Sequence, residues 1–329
     1  MAPRPESEEM ILALHREAII IDAQNASLDT IEYLEKFRRA GITAMRKNVG
    51  PYFYTLRQSL SEVGNWYSMI RDHDTLMLVS EADDIRKAKK SGKLGIILGT
   101  NSTKLFDDDV KMVEVFHKLG VNVVQFTYNH RTSLGDGCAE KTNSGLSELG
   151  RQMVDELNRN RILIDLSHVG YATSLDVITQ SKDPVTFTHS NPRALCDNPR
   201  NIPDELIRAC AEKGGVVGVV AYPAFVTKKS LEPTPEDLLN HIDYLVKAVG
   251  VNHVGFGLDI TEGQPRELFE PLIRAAPNVY PPWPWHFAIS SASEFKSLTA
   301  GLVRRGYSKA EMLKIVGGNF LSLFQRVWR

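Results

Sequence analysis

Short, nearly continuous apolar runs alternate with amphipathic stretches along almost the whole chain. The runs Ala18–Asp22, Thr43–Asn48, Leu94–Gly99, Val121–Thr127, Ile162–Ser167, Val185–Thr188, Val216–Tyr222 and His253–Asp259 predict eight strands buried on both faces, the mark of a parallel sheet. Helical periodicity covers Leu28–Ala40, Leu56–Asp72, Asp108–Leu119, Leu146–Arg159, Ser174–Ser181, Pro203–Glu212, Thr234–Val249 and Ser293–Arg305. Two of these helices carry start signals, Pro203-Asp204 and Thr234-Pro235-Glu236-Asp237, with proline and acids in the first turn. Eight strands alternating with helices predict an α/β chain closed as a (β/α)8 TIM barrel. The expectation is a single domain over 1–329 with a C-terminal helical segment around 306–329. A doubly wound open sheet is the alternative, but no glycine-rich phosphate fingerprint follows the first strand. The longest irregular piece, Gly263–Phe287, contains Pro281-Pro282-Trp283-Pro284-Trp285. It reads either as an aromatic lid on the substrate side or as a packed surface loop.

Three of the apolar runs end in groups with chemistry. His168 follows Ile162–Ser167, His189 follows Val185–Thr188, and Asp259 closes Val254–Leu258. The C-terminal ends of barrel strands are where this architecture keeps its active site. Two imidazoles and a carboxylate are also a recognised open zinc set. The other seven histidines (His15, His73, His117, His130, His241, His253 and His286) fall on helices, in loops or at a strand start and read as structural or solvated. His130, just after the fourth predicted strand, is the one to watch.

Bulk composition narrows the partners. The 329 residues are 43% hydrophobic and 24% charged with a formal net charge of -1, so no basic field draws the chain to nucleic acid or anionic lipid. The three cysteines, Cys138, Cys196 and Cys210, are odd in number and form no CxxC pair, which suits a reducing compartment. No run approaches the roughly 18 apolar residues of a membrane span, and the first residues lack the apolar core of a secretory signal. The expectation is a soluble, cytoplasmic protein acting on a small molecule, with no nucleic acid and no membrane.

The sequence around the strand ends resembles the membrane dipeptidase (renal dipeptidase-like) family of the amidohydrolase superfamily. The resemblance rests on Ile164-Asp165-Leu166-Ser167-His168-Val169, Phe187-Thr188-His189-Ser190, Asn198-Pro199-Arg200-Asn201-Ile202-Pro203-Asp204, Gly255-Phe256-Gly257-Leu258-Asp259 and Gly317-Gly318-Asn319-Phe320. It implies a barrel of the metal-dependent hydrolase type, with two zinc ions that cleave dipeptides, and a homodimer. By the resemblance, His168 and His189 stand at the second metal's histidines, Asp259 at the last-strand aspartate that assists proton transfer, and Arg200 at the arginine that holds the substrate carboxylate.

The match breaks on the first-metal side. Where the family reads Asp-Gly-His-Asn-Asp, this chain reads Asp22-Ala23-Gln24-Asn25-Ala26, and Asn101 stands at the place of the bridging glutamate. Tyr128 stands where a histidine would polarise the substrate carbonyl. Neutral amides are weak zinc ligands and alanine is none. The expectation is therefore one zinc ion at most, on His168, His189 and Asp259, or none. Gln24, Asn25 and Asn101 become substrate-binding groups, with Asp259, His168, His189 and Tyr128 as the catalytic set.

Three functions follow from this pattern. The first is a dipeptidase-like hydrolase of a small carboxylate-bearing amide or dipeptide. The second is a metal-independent acid–base enzyme, a lyase, isomerase or decarboxylase of a small metabolite. The third is a non-catalytic binding protein on a retired barrel. Among weaker features, Glu262 reads as a loop carboxylate in solvent and Arg193 as second to Arg200. Cys138, beside Asp136 and Gly137, is a minority candidate for a nucleophile, and Asp22 reads as a hydrogen-bonding group.

Overall fold

The structure is a computed structural model that describes residues 5–228, 232–282 and 284–329. Nine parallel strands form its sheet: β1 (Ile21–Asp22), β2 (Ala44–Asn48), β3 (Leu76–Leu78), β4 (Leu94–Thr100), β5 (Val121–Gln125), β6 (Leu163–Asp165), β7 (Thr186–Phe187), β8 (Val216–Val219) and β9 (Val254–Phe256). Eight of them run in the order β1-β2-β4-β5-β6-β7-β8-β9, with β3 attached to the side of β4. Backbone bonds just beyond β9 and β1 close the ring, from Ala23 N–H to the Phe256 carbonyl at 2.9 Å and from Asp259 N–H to the Gln24 carbonyl at 2.9 Å. The chain thus folds as a (β/α)8 barrel with one extra strand.

All eight predicted strands are present; seven are shorter than predicted, and β4 runs one residue further, to Thr100. β3 and the helix Ala82–Ser91 were not legible in the apolar pattern. The strand has only three residues, and the helix, Ala-Asp-Asp-Ile-Arg-Lys-Ala-Lys-Lys-Ser, buries a narrow stripe of Ala82, Asp84, Ile85 and Ala88. The C-terminal helical segment forms as Lys309–Leu313, a π turn over Lys314–Gly318 and Asn319–Val327. Its Phe320, Leu323 and Phe324 pack with Ile21, Ile97 and Val216 to seal the end of the barrel opposite the mouth. No helix among the described residues is long and apolar enough to cross a membrane.

The barrel interior is not wholly apolar. Arg46, on β2, is buried and reaches across the lumen to Asp165 on β6, Nη1 to Oδ2 at 2.7 Å. The same guanidinium donates to Thr188 Oγ1, Asn48 Oδ1 and the Thr100 carbonyl. Gly99 makes this possible, since a Cβ there would overlap the Arg46 side chain. At the next position Lys47, equally buried, donates from its ammonium to the Ser27 carbonyl at 2.7 Å and Asn25 Oδ1 at 3.2 Å, and is ion-paired with Asp29 Oδ1 at 2.6 Å.

Candidate active site

Past β6, β7 and β9 the chain brings His168, His189 and Asp259 to the wall of one cavity of about 380 Å³. Two of these residues adopt left-handed backbone, His168 with φ 68 and Asp259 with φ 54, as does Asn129 with φ 59. For residues other than glycine this conformation costs on the order of 1 kcal/mol each. Two such residues on the cavity wall, with Asn129 bonded to His168 behind it, concentrate local strain at the site. Gly257 sets the approach to Asp259, because a Cβ there would run into the Thr188 carbonyl.

The two imidazoles meet directly, His168 Nε2 to His189 Nε2 at 3.1 Å. Their other nitrogens fix the tautomers. Asn129 gives its amide N–H to the Tyr280 hydroxyl at 3.1 Å, which turns its oxygen to His168 Nδ1 at 2.6 Å. Thr188 donates its hydroxyl hydrogen to Asp165 Oδ2 at 2.5 Å, so its oxygen accepts from His189 Nδ1 at 2.7 Å. Each ring therefore carries its hydrogen on Nδ1 and turns a bare Nε2 lone pair toward the other. Burial, the Arg200 and Arg46 charges and, for His168, the neighbouring His189 hold both rings well below the ordinary histidine range, so they stay neutral. Two imidazoles on one tetrahedral zinc lie about 3.3 Å apart, close to the separation found here. Two imidazoles holding one metal ion would need this arrangement, with their outer hydrogen bonds to Asn129 and Thr188 in place.

Among the described residues no group of three His, Cys, Asp or Glu is placed to hold a metal ion, which corrects the expectation that Asp259 would complete the pair. Asp259 instead accepts from Gln24 Nε2 at 3.2 Å. Burial raises its carboxyl above the usual range, moderated by the Gln24 hydrogen bond and by Arg200, Arg46 and Lys47. The residues present therefore fit one ion on two imidazoles, with water in the remaining positions, and do not fit a dinuclear centre.

The other predicted site residues divide. Gln24 and Asn101 line the cavity, and Gln24 Oε1 is buried without a hydrogen-bond partner among the described residues. Asn25 lines it too, but its amide is already committed to Asp22, Ser27 and Lys47, which corrects its assignment as a free substrate contact. Tyr128 is clamped between Tyr52 and His168, with ring centroids 4.2 Å away on each side, and burial pushes its phenol well above its usual range. Arg200 is buried outside the main cavity, and donates to Ser190 Oγ at 2.7 Å and to the His189 carbonyl at 2.6 Å. It lines a neighbouring cavity of about 180 Å³ that shares His168. A direct carboxylate grip in the main cavity is thereby corrected to a charge and a brace behind His189.

Of the weaker candidates, Glu262 turns its carboxylate to the Ala292 amide, and His130 is exposed beside Glu140. Asp136 pairs with Arg131, and burial pushes the Cys138 thiol up to about 11, the wrong direction for a nucleophile. The loop after β9 does wall the cavity, through Glu267, Leu268, Phe269, Leu272 and Tyr280, whereas Trp283 lies outside the described residues. Tyr222 was missed. Its hydroxyl is buried, lines the cavity and has no partner among the described residues. The signal was available, since Tyr222 ends an apolar run in the same manner as His168.

Asp22 closes the barrel from beneath, taking the Leu258 N–H on Oδ1 at 2.9 Å and the Asn25 amide on Oδ2 at 3.0 Å. Burial raises its carboxyl to about 6 from 3.8, so the folded chain holds a proton that the unfolded chain has released. That contribution is whole below pH 4 and is lost as the pH rises through about 6. Relative to Asp22→Asn, wild-type stability is expected to fall by roughly 3 kcal/mol between pH 4 and pH 7. Denaturant unfolding of both proteins across that range measures it; parallel curves would contradict the raised carboxyl.

Comparison with known proteins shows the family of the chain. The model of the family described as membrane dipeptidase (peptidase family M19) matches residues 9–270. The dipeptidase tcpJ of Claviceps purpurea is 26% identical over 77% of this chain and 56% of its own length. For the dipeptidase aclJ of Aspergillus oryzae the identity is 26%, over 83% of this chain and 61% of that protein, so the chain spans little more than half of these curated relatives. Among solved structures, an amidohydrolase from Pseudomonas aeruginosa is 35% identical, with a TM-score of 0.91 over 97% of this chain and 99% of that one. The chain belongs to the membrane dipeptidase family, peptidase family M19.

Proposed function

We propose that the protein is a dipeptidase-like hydrolase of a small amide or dipeptide bearing a carboxylate, working with one zinc ion at most, on His168 and His189. Family membership supports the reaction class, and the observation that carries it to this site is that Asp259 lines the same cavity as His168 and His189. An ion on the two imidazoles would supply Lewis-acid polarisation of a bound oxygen. The remaining chemistry belongs to side chains. Asp259, with its carboxyl raised by burial, takes a proton from the attacking water and passes it to the leaving amine. Gln24 holds Asp259 by its amide N–H and leaves Oε1 open to accept from a substrate N–H. The Tyr222 hydroxyl is the open donor on the opposite, aromatic wall formed with Phe225 and Tyr280. Arg200 draws the substrate carboxylate by its charge.

The test is amine release from a panel of dipeptides and N-acyl amino acids, with zinc and with chelator, beside the same amides lacking the carboxylate. Removal of the carboxylate is expected to lower kcat/KM at least tenfold. A folded protein that cleaves none of the panel under either condition ends this reading.

A further inference from the structure

The turn after β8 and the loop after β9 give the main cavity an aromatic wall that amide cleavage does not by itself require. Eight of the residues lining the cavity are phenylalanine or tyrosine, out of 13 phenylalanines and 10 tyrosines in the whole chain. Just past β8, the rings of Tyr222 and Phe225 stack with centroids 5.0 Å apart. From the loop after β9, Tyr280 and Trp285 meet the Tyr222 ring edge-on at 5.7 and 5.0 Å, and Phe269 packs on Trp285 at 5.3 Å. Hydrogen bonds pin the same wall: Asn129 to the Tyr280 hydroxyl, Asn198 Nδ2 to the Val279 carbonyl at 3.0 Å and Trp285 Nε1 to the Pro281 carbonyl at 2.9 Å. A surface fixed in this way is preformed, so a ring that lands on it pays little to order its contacts.

The polar groups left open in the cavity are neutral. Among the described residues, the cavity-lining side-chain atoms buried without a hydrogen bond are Gln24 Oε1, Tyr222 Oη and Asp29 Oδ1, and the last faces the Lys47 ammonium at 2.6 Å. Lys47 is further committed to Asn25 and the Ser27 carbonyl. Glu62 and Glu267 line the cavity from half-buried and exposed positions, where an ion pair contributes little. A charged substrate side chain would therefore leave water for rings and neutral atoms, at a net loss. An aromatic one would cover the rings, and a cavity of about 380 Å³ is of the size that takes a whole small molecule. The Tyr52–Tyr128–His168 stack is the poorer seat, because Tyr128 is already covered on both faces.

We infer that the cavity selects its substrate by a neutral aromatic group, seated against Tyr222, Phe225, Phe269 and Tyr280, with the Tyr222 hydroxyl donating to a substrate oxygen beside that ring. The inference rests on the hydrolase reading for what is cleaved and adds which amide it is, one whose acyl or amine half carries an aromatic side chain. Tyr222 is then a specificity residue with two separable parts, a ring that holds the aromatic group and a hydroxyl that orients it.

Binding rather than turnover tests this, so failure of selection and failure of hydrolysis are told apart. The probes are N-acyl amino acid analogues in which CH2 replaces the amide N–H, so that they cannot be cleaved. They differ only in side chain (benzyl, methyl, aminobutyl or carboxyethyl), on the acyl side in one series and on the amine side in the other. Titration calorimetry on wild type is expected to show benzyl binding at least tenfold more tightly than methyl in one series, within the range set by apolar groups in hydrophobic pockets. The charged analogues are expected to bind no more tightly than methyl. Tyr222→Phe is expected to weaken the benzyl analogue at least threefold with its preference kept, and Tyr222→Leu to cut the preference itself at least threefold. A preference below tenfold in both series, a charged analogue as the tightest, or no binding by any analogue overturns the inference. So does a preference that survives Tyr222→Leu, while unchanged affinity in Tyr222→Phe overturns the part given to the hydroxyl. Should Tyr222→Leu fail to fold, the wild-type comparison decides alone. A chain that prefers benzyl yet cleaves no amide keeps its aromatic selection and loses the hydrolase reading.

Discussion

Replacement of Asp259 by Asn is expected to lower turnover by about 10²–10⁴-fold while leaving the fold intact, the range associated with loss of a positioned general base. Asn keeps an oxygen to accept from Gln24, so the 3.2 Å contact and the left-handed turn at φ 54 have no reason to break. What disappears is the cavity-lining carboxylate that accepts from Gln24. Because burial raises the Asp259 carboxyl, the acid limb of kcat/KM is expected above the ordinary carboxylate range. Activity rises with pH through that limb as the base loses its proton, and the limb is absent from Asp259→Asn. A variant retaining activity within tenfold of wild type would remove Asp259 from the proton transfer and leave the imidazole pair as the base.

Much of this site was legible because barrel strands punctuate themselves. An apolar run ending in His168, His189 or Asp259 marks the mouth wherever the exact register falls, and all three do line one cavity. The substitutions at Gln24, Ala26 and Asn101 were equally visible, since the pattern around them is short and ordered. What the pattern could not carry was direction. Asp259 belongs to Gln24 rather than to the histidines because its backbone turns left-handed and its amide closes the barrel on the Gln24 carbonyl. Arg200 faces inward to Ser190 and the His189 carbonyl for a similar reason, a loop path set by Asn198 and Asn201. The outer hydrogen bonds, Asn129 to His168 and Thr188 to Asp165, join positions far apart in sequence and exist only once the strands are in register. Arg46 and Lys47 fall inside the predicted strand Thr43–Asn48 and were not singled out from the sequence. Burial on both faces, which the closed barrel imposes, is what makes them part of the site.

Arg46→Met is expected to cost about 3–5 kcal/mol in stability, the largest effect of any single substitution considered, because it leaves a buried carboxylate without its cation. Asp165 is fully buried and keeps only hydrogen bonds from the Ser167 amide, the Thr188 amide and the Thr188 hydroxyl. Those bonds orient the carboxylate but carry no compensating full charge. The contrast lies in the double variant Arg46→Met/Asp165→Asn, which removes both charges and retains an acceptor for the two amides. It is expected to recover most of the loss, so denaturant unfolding of the two single variants and the double should give strong coupling rather than additive costs. Additive costs, or a loss under 1 kcal/mol for Arg46→Met, would mean that Asp165 does not depend on the guanidinium. The distinction reaches the site through one atom. Thr188 Oγ1 receives Arg46 Nη1 at 3.2 Å and His189 Nδ1 at 2.7 Å while donating to Asp165. Because the Arg46–Asp165 pair fixes that hydroxyl, breaking it would also loosen the hydrogen bond that sets the His189 tautomer.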